Sequence, residues 1–208
     1  MTGVTSNDWR PDSYSIIPAT ANKLGIFPTM FDCLREQQPG ARMEAYIEWA
    51  GETRMYDMSV FDKTLCSDGQ NHYDAEQILD AAFESYLENE PELLFVSIDL
   101  TDAAGHSKGH ESQGFFDAIH RMDERVGEFL KELESRNMLK DAVIIITADH
   151  GGINYGHGGD SMAELQIPVI MYGKGVTKGK VMEHANMIYD NAATVAGLLG
   201  FTLPQECR

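Results

Sequence analysis

A carboxylate and an imidazole stand four residues apart in the run DAAGH, Asp102 to His106. On a loop, with Gly105 letting the backbone turn, such a pair can grip one cation. The same two residues can equally be hydrogen-bonded members of that loop. In TADHGG, residues 147–152, Asp149 and His150 are adjacent and precede two glycines, so a bend brings both side chains to a metal. As a turn cap and its neighbour's donor they would serve structure instead. His157 follows in the glycine-rich YGHGG, surroundings that permit close approach and give the ring no packing role. A flexible surface histidine is the other reading there. Taken together, Asp102, His106, Asp149, His150 and His157 form a donor set suited to zinc or manganese.

Positioning such a set requires elements that end where the ligands begin. LLFVSI, residues 93–98, and AVIIIT, residues 142–147, are continuous apolar runs of strand length, suited to a sheet covered on both faces. MEAYIEW, residues 43–49, alternates and reads as a further strand, and IPVIMY, residues 167–172, as another. Between them the pattern switches to the helical period. A short helix is expected from Pro28 to before Pro39, and a second opens at Asp74 with Gln77 completing a capping box. Ser112 caps a long helix whose Phe115, Ile119, Met122, Val126, Phe129 and Leu133 make one apolar stripe for packing on the sheet. Asp190 or Asn191 starts a last helix stopped by Gly200. Residues 1–25 read as loop, and residues 53–73 have no strong period. Strands alternating with helices predict an α/β sandwich with a largely parallel central sheet flanked by helices. In open α/β sheets ligands gather outside the carboxyl ends of the strands, and both ligand runs follow strand ends directly. Two adjacent strand ends are therefore expected to present them at one edge.

Composition narrows the partners. The chain has 208 residues, 43% of them hydrophobic, enough for one sizeable core and most simply one domain. A net charge of -17 disfavours nucleic acid and anionic membrane surfaces, both of which call for clustered Lys and Arg. Bound divalent cations would offset part of that excess. Cys33, Cys66 and Cys207 are far apart and give neither a disulfide framework nor a cysteine zinc site. Among the other histidines, His72 and His110 read as solvent-facing and His120 as a helix-flank residue.

The segments 93–110, 111–130 and 144–173 resemble the alkaline phosphatase superfamily, especially its nucleotide pyrophosphatase/phosphodiesterase-like and sulfatase-like branches. The matching elements are DAAGH, FFDAIHRMDERVGEFLKEL, IIITADHGG, HGG and ELQIPVIMYGKGV, and DNAATVAGLLGF is similar to the family's closing helix. The resemblance implies an α/β sandwich holding two divalent metal ions, commonly zinc, with manganese an alternative. It puts Asp102, His106 and His157 in one metal site, and Asp149 and His150 in part of the second. Two such ions roughly 4 Å apart clamp a transferring phosphoryl group. Asn7 matches an Asn that contacts the substrate phosphate in phosphodiesterase-like members, whereas Thr2 stands where many relatives have His. No Asp–Thr/Ser nucleophile region precedes Asn7, and Thr5 and Ser6 read as loop residues, so no catalytic residue is assigned.

Residues 1–208 are therefore expected to be a single α/β metal-binding domain, a fragment lacking the nucleophile region. The expected function is metal-dependent hydrolysis of phosphate esters or phosphodiesters. The alternatives are a sulfatase, a mutase on a phosphosugar, and a catalytically silent metal-binding fragment. The expected partner is a small-molecule phosphate or sulfate ester, with no nucleic acid and no membrane. Oligomeric state is unassigned, and the frequent export of relatives leaves the compartment open.

Overall fold

Strand β1, Met43–Ile47, is buried along its whole length. In the computed structural model, which describes residues 21–68 and 70–205, it is the middle strand of a parallel sheet. On one side it pairs with β2, Lys63–Cys66, and on the other with β3, Leu93–Ser97. The alternation read in residues 43–49 therefore does not mark a half-exposed strand, because a central strand has both faces covered. Met43, Ala45 and Ile47 face a core with Phe31, Leu34, Tyr56, Phe61, Ala192 and Ala196. Tyr46 faces the other way, against Ile78 and Ala82.

Of the helices on this sheet, the one capped by Asp74 starts where its sequence says it should, and the first starts two residues beyond Pro28. Helix α1, Met30–Gln37, is capped by Thr29, whose side chain and backbone exchange hydrogen bonds with Asp32 in a capping box. Helix α2, Ala75–Asn89, carries the expected box between Asp74 and Gln77 and packs on the sheet. Two 3₁₀ turns, Glu52–Met55 and Met58–Val60, followed by β2, occupy most of the first part of residues 53–73, where the sequence pattern is weak.

Glu44 is fully buried on β1 beside Tyr46. Its carboxylate accepts hydrogen bonds from Arg42 Nε (2.8 Å), Tyr46 Oη (2.9 Å) and Ser85 Oγ (2.6 Å). Burial pushes this carboxyl up, but the bonds from Ser85, Arg42 and Tyr46 outweigh it and hold the group below the usual carboxylate range. Burial, with the Glu44 charge added, raises the Tyr46 phenol to about 12 against the Ser85 bond.

The chain falls into two units, one of the described residues up to Ile98 with those from His184 onward, the other Asp99–Glu183. The second unit holds helix α3, Leu100–Lys108, helix α4, Gln113–Ser135, and strand β4, Val143–Thr147. It also holds the short helix α5, Met162–Leu165, and strand β5, Val169–Gly173. Helix α6, Asp190–Leu199, belongs to the first unit and ends at Gly200 in a left-handed conformation.

The mixed α/β class with a parallel sheet flanked by helices is as the sequence led us to expect. Within the second unit β4 pairs antiparallel with β5, and within the first β3 pairs parallel with β1. In the same second unit α4 packs against α3, and Phe116 and Ile119 on α4 are exposed.

Candidate metal centre

All five proposed ligands lie in the second unit. Asp102 and His106 sit not on a loop but within α3, one turn apart, so the helix itself sets their spacing. His106 Nε2 is 3.2 Å from Asp102 Oδ2. Asp149, His150 and His157 lie on the connection from β4 to α5. Its backbone is pinned by Gly151 N–H donating to the Glu164 carbonyl (2.8 Å) and Gly159 N–H donating to Glu164 Oε1 (2.7 Å). Within it Ile153 and Gly156 exchange backbone hydrogen bonds across a tight turn. Asn154 takes the left-handed conformation there (φ 52°), which asparagine tolerates better than most residues. The turn delivers His157.

Asp102, His150 and His157 each offer one ligand atom within 4.8 Å of the others. The rings of His150 and His157 stack with centroids 3.7 Å apart, and His106 lies 5.0 Å from His157. His157 Nε2 is 3.8 Å from Asp102 Oδ1. That oxygen is buried without a hydrogen-bond partner. A lone buried carboxylate oxygen is costly, and facing imidazole nitrogens at this range is what a cation site requires of it. The donor set, one carboxylate oxygen with imidazole nitrogens, suits zinc or a similar divalent ion.

Backbone carbonyls orient three of the imidazoles. His106 Nδ1 lies 2.8 Å from the Tyr155 carbonyl, and His150 Nδ1 lies 2.8 Å from that of Gly151. His110 Nδ1 lies 3.1 Å from the carbonyl of Asn154. A carbonyl only accepts, so Nδ1 donates in each case and the neutral ring keeps its lone pair on Nε2. This is the arrangement by which ligating histidines are held to a metal.

The five candidates differ in how the fold treats them. Asp102, His150 and His157 converge, and His106 is tied to Asp102. The Asp149 side chain is 84% exposed, with Oδ1 accepting from the His150 N–H (3.1 Å) and Oδ2 3.5 Å from His150 Nε2. Asn7, Thr5 and Ser6 lie outside the described residues, as does Cys207, while Cys33 and Cys66 are free thiols.

Two residues beside the site escaped the sequence reading. His110 is 7% exposed, not solvent-facing, because its ring is enclosed between Gly105 and Gly152. The signal for it was present, since Asp102, His106 and His110 recur every fourth residue. Asp99 precedes α3 without capping it through its side chain. Burial pushes its carboxyl up, the charges of Asp102 and Asp149 push it further, and His106 opposes them. His72 is exposed as expected, and His120 lies exposed on α4.

This second-unit constellation sits on a chain whose fold recurs in solved structures of the alkaline phosphatase superfamily. The lipoteichoic acid synthase LtaP from Listeria monocytogenes is similar with a TM-score of 0.57 and 18% identity, over 86% of this chain and 54% of that one. Leishmania mexicana phosphoglycerate mutase, in a structure at low cobalt concentration, is similar with a TM-score of 0.54 and 18% identity, over 86% of this chain and 38% of that one. At these identities the likeness is one of fold. In sequence, the profile of the type I phosphodiesterase / nucleotide pyrophosphatase family matches residues 2–166, and the chain belongs to that family. A phosphopentomutase from Clostridioides difficile is 32% identical over 109 residues, 52% of this chain and 26% of that protein. A second phosphopentomutase, from Alkaliphilus metalliredigens, is 32% identical over 117 residues. The chain spans 26% and 28% of the lengths of these curated relatives.

Proposed function

We propose that this chain carries the cation site of a metal-dependent enzyme that hydrolyses phosphate esters or phosphodiesters of small molecules. The observation that carries this reading is the buried, unpartnered Asp102 Oδ1, with His157 Nε2 3.8 Å away and His150 in reach of both. In this reading Asp102, His106 and His157 hold one divalent ion, zinc or manganese, and Asp149 and His150 contribute to a second. Bound there, the ions supply charge neutralisation for the oxygens of a transferring phosphoryl group. The chain's own part is to fix the imidazoles by their Nδ1 bonds and to bring carboxylates to the same point. Asn7, by the family resemblance, is assigned to the substrate phosphate.

A second reading, a phosphosugar mutase, draws support from the 32% identity to phosphopentomutases. A sulfatase would use the same tetrahedral anion chemistry. The test, run on the whole enzyme that carries this chain, compares para-nitrophenyl phosphate, its bis-ester and para-nitrophenyl sulfate as substrates, before and after exhaustive chelation and on return of zinc or manganese. Phosphate ester or diester cleavage lost on chelation and restored by metal is the expected result. Cleavage that survives chelation would contradict the reading, and cleavage of the sulfate alone would move the assignment to a sulfatase.

A further inference from the structure

His110 belongs to none of the ligand sets above, yet it touches every segment that carries one. Its Nδ1 donates to the carbonyl of Asn154 (3.1 Å), and its own backbone N–H donates to the same oxygen (2.7 Å). Asn154 and Tyr155 lead directly to His157, and the Tyr155 carbonyl holds His106 Nδ1. The ring fills the space beside Gly105, which precedes His106, and beside Gly152, which follows the His150-Gly151 pair. A Cβ on either glycine would run into the imidazole. His110 Nε2 lies 3.9 Å from Asp102 Oδ1, and the ring also packs against Phe115 at 5.2 Å.

We infer that His110 is a positioning residue for the cation site, clamping the turn that carries His157 onto the α3 face that carries Asp102 and His106. The inference rests on the cation-site reading proposed above. The paired bonds to one carbonyl fix the height of the 153–156 turn against α3. The flat ring between two glycines fixes how closely the His150 segment approaches. The Nδ1–H bond also leaves Nε2 without a proton in the neutral ring. Hemmed by the two glycines, Nε2 serves packing and not coordination. Groups of this kind, standing behind the ligands, typically change metal affinity by about 10–100-fold when removed.

The experiment titrates the metal-free chain with Co²⁺, following both calorimetry and the visible ligand-field spectrum. The parent is compared with His110→Phe, which keeps a ring between the glycines and loses the donor, and with His110→Asn, whose amide N–H stands at the Nδ1 position. The inference expects the Phe variant to bind roughly 10–100-fold more weakly with a shifted spectrum, and the Asn variant to recover toward the parent in both. Should the Phe variant fail to fold, His110→Ala takes its place. Parent-like affinity and spectrum in the donor-less variant would overturn the inference. So would an Asn variant no better than Phe, since Nε2 would then be the working atom and His110 a ligand. A parent that binds no Co²⁺ removes the cation-site reading itself, and this inference with it.

Discussion

Asp102 divides its two oxygens between different tasks: Oδ2 faces His106 Nε2 at 3.2 Å, while Oδ1 is buried without a hydrogen bond. That asymmetry is why Asp102→Asn should be the most damaging single change for cation binding, with a loss on the order of 100-fold or more in a calorimetric titration. Asp149→Asn should weaken the second equivalent of cation and spare the first, because its carboxylate is 84% exposed and meets the backbone and ring of His150. Unchanged binding of both equivalents would remove Asp149 from the site. Asp99 makes a different prediction. Its folded-state pKa is raised by burial and by Asp102 and Asp149, so the folded protein holds that proton more tightly than the unfolded chain does. The ionised group therefore costs stability above its unfolded pKa, and the cost fades as pH falls through the carboxylate range. In urea denaturation of the metal-free protein, Asp99→Asn should stabilise at neutral pH and lose its advantage near pH ~4.

At the level of elements, caps and strand partners decide how well the local code is expressed. Ser112 Oγ accepts from the Phe115 N–H (3.1 Å) at the start of α4, and Asp74 does the same for Gln77 at the start of α2. Replacing either by Ala should cost about 1 kcal/mol in denaturant titration. Phe31, at 0% exposure, packs among the rings of Tyr56, Phe61 and Phe95. Its truncation to Ala should cost about 3–5 kcal/mol. These features were legible because a capping box and an apolar run act through nearest neighbours in the chain. Strand β2 was not legible: KTLC is four residues long, with its first two exposed, too short for a period to show. The sequence of helix α3 reads as a loop because LTDAAGHSK has few apolar residues and an internal glycine, yet its helical turn is what pairs Asp102 with His106. The antiparallel pairing of β4 with β5 is set by strand partners, which an apolar run does not specify. Of the site, residue types and segments were readable. The burial of His110 was not, because it depends on Gly152, far along the chain, closing on the ring opposite Gly105.

For the molecule as a whole, the acidic balance of -17 makes stability respond to both protons and cations. Glu44 has a depressed folded-state pKa despite its burial, owing to Ser85, Arg42 and Tyr46. Its contribution is present above the unfolded Glu pKa of about 4.3 and is lost as pH falls through the lower folded value. Glu44→Gln should therefore lower stability at neutral pH and flatten its loss on acidification. Cation binding should stabilise the folded chain through linkage, by about 2.7 kcal/mol at a hundredfold excess over Kd, and so raise its unfolding temperature. All of this turns on whether the second unit holds a metal ion. The most direct measurement is metal content by mass spectrometry on the chain dialysed against zinc, beside its His157→Ala variant. Stoichiometric zinc in the parent with a clear loss in the variant is the expected result; no zinc in either, or equal zinc in both, would contradict the assignment of Asp102, His106 and His157 to one cation site.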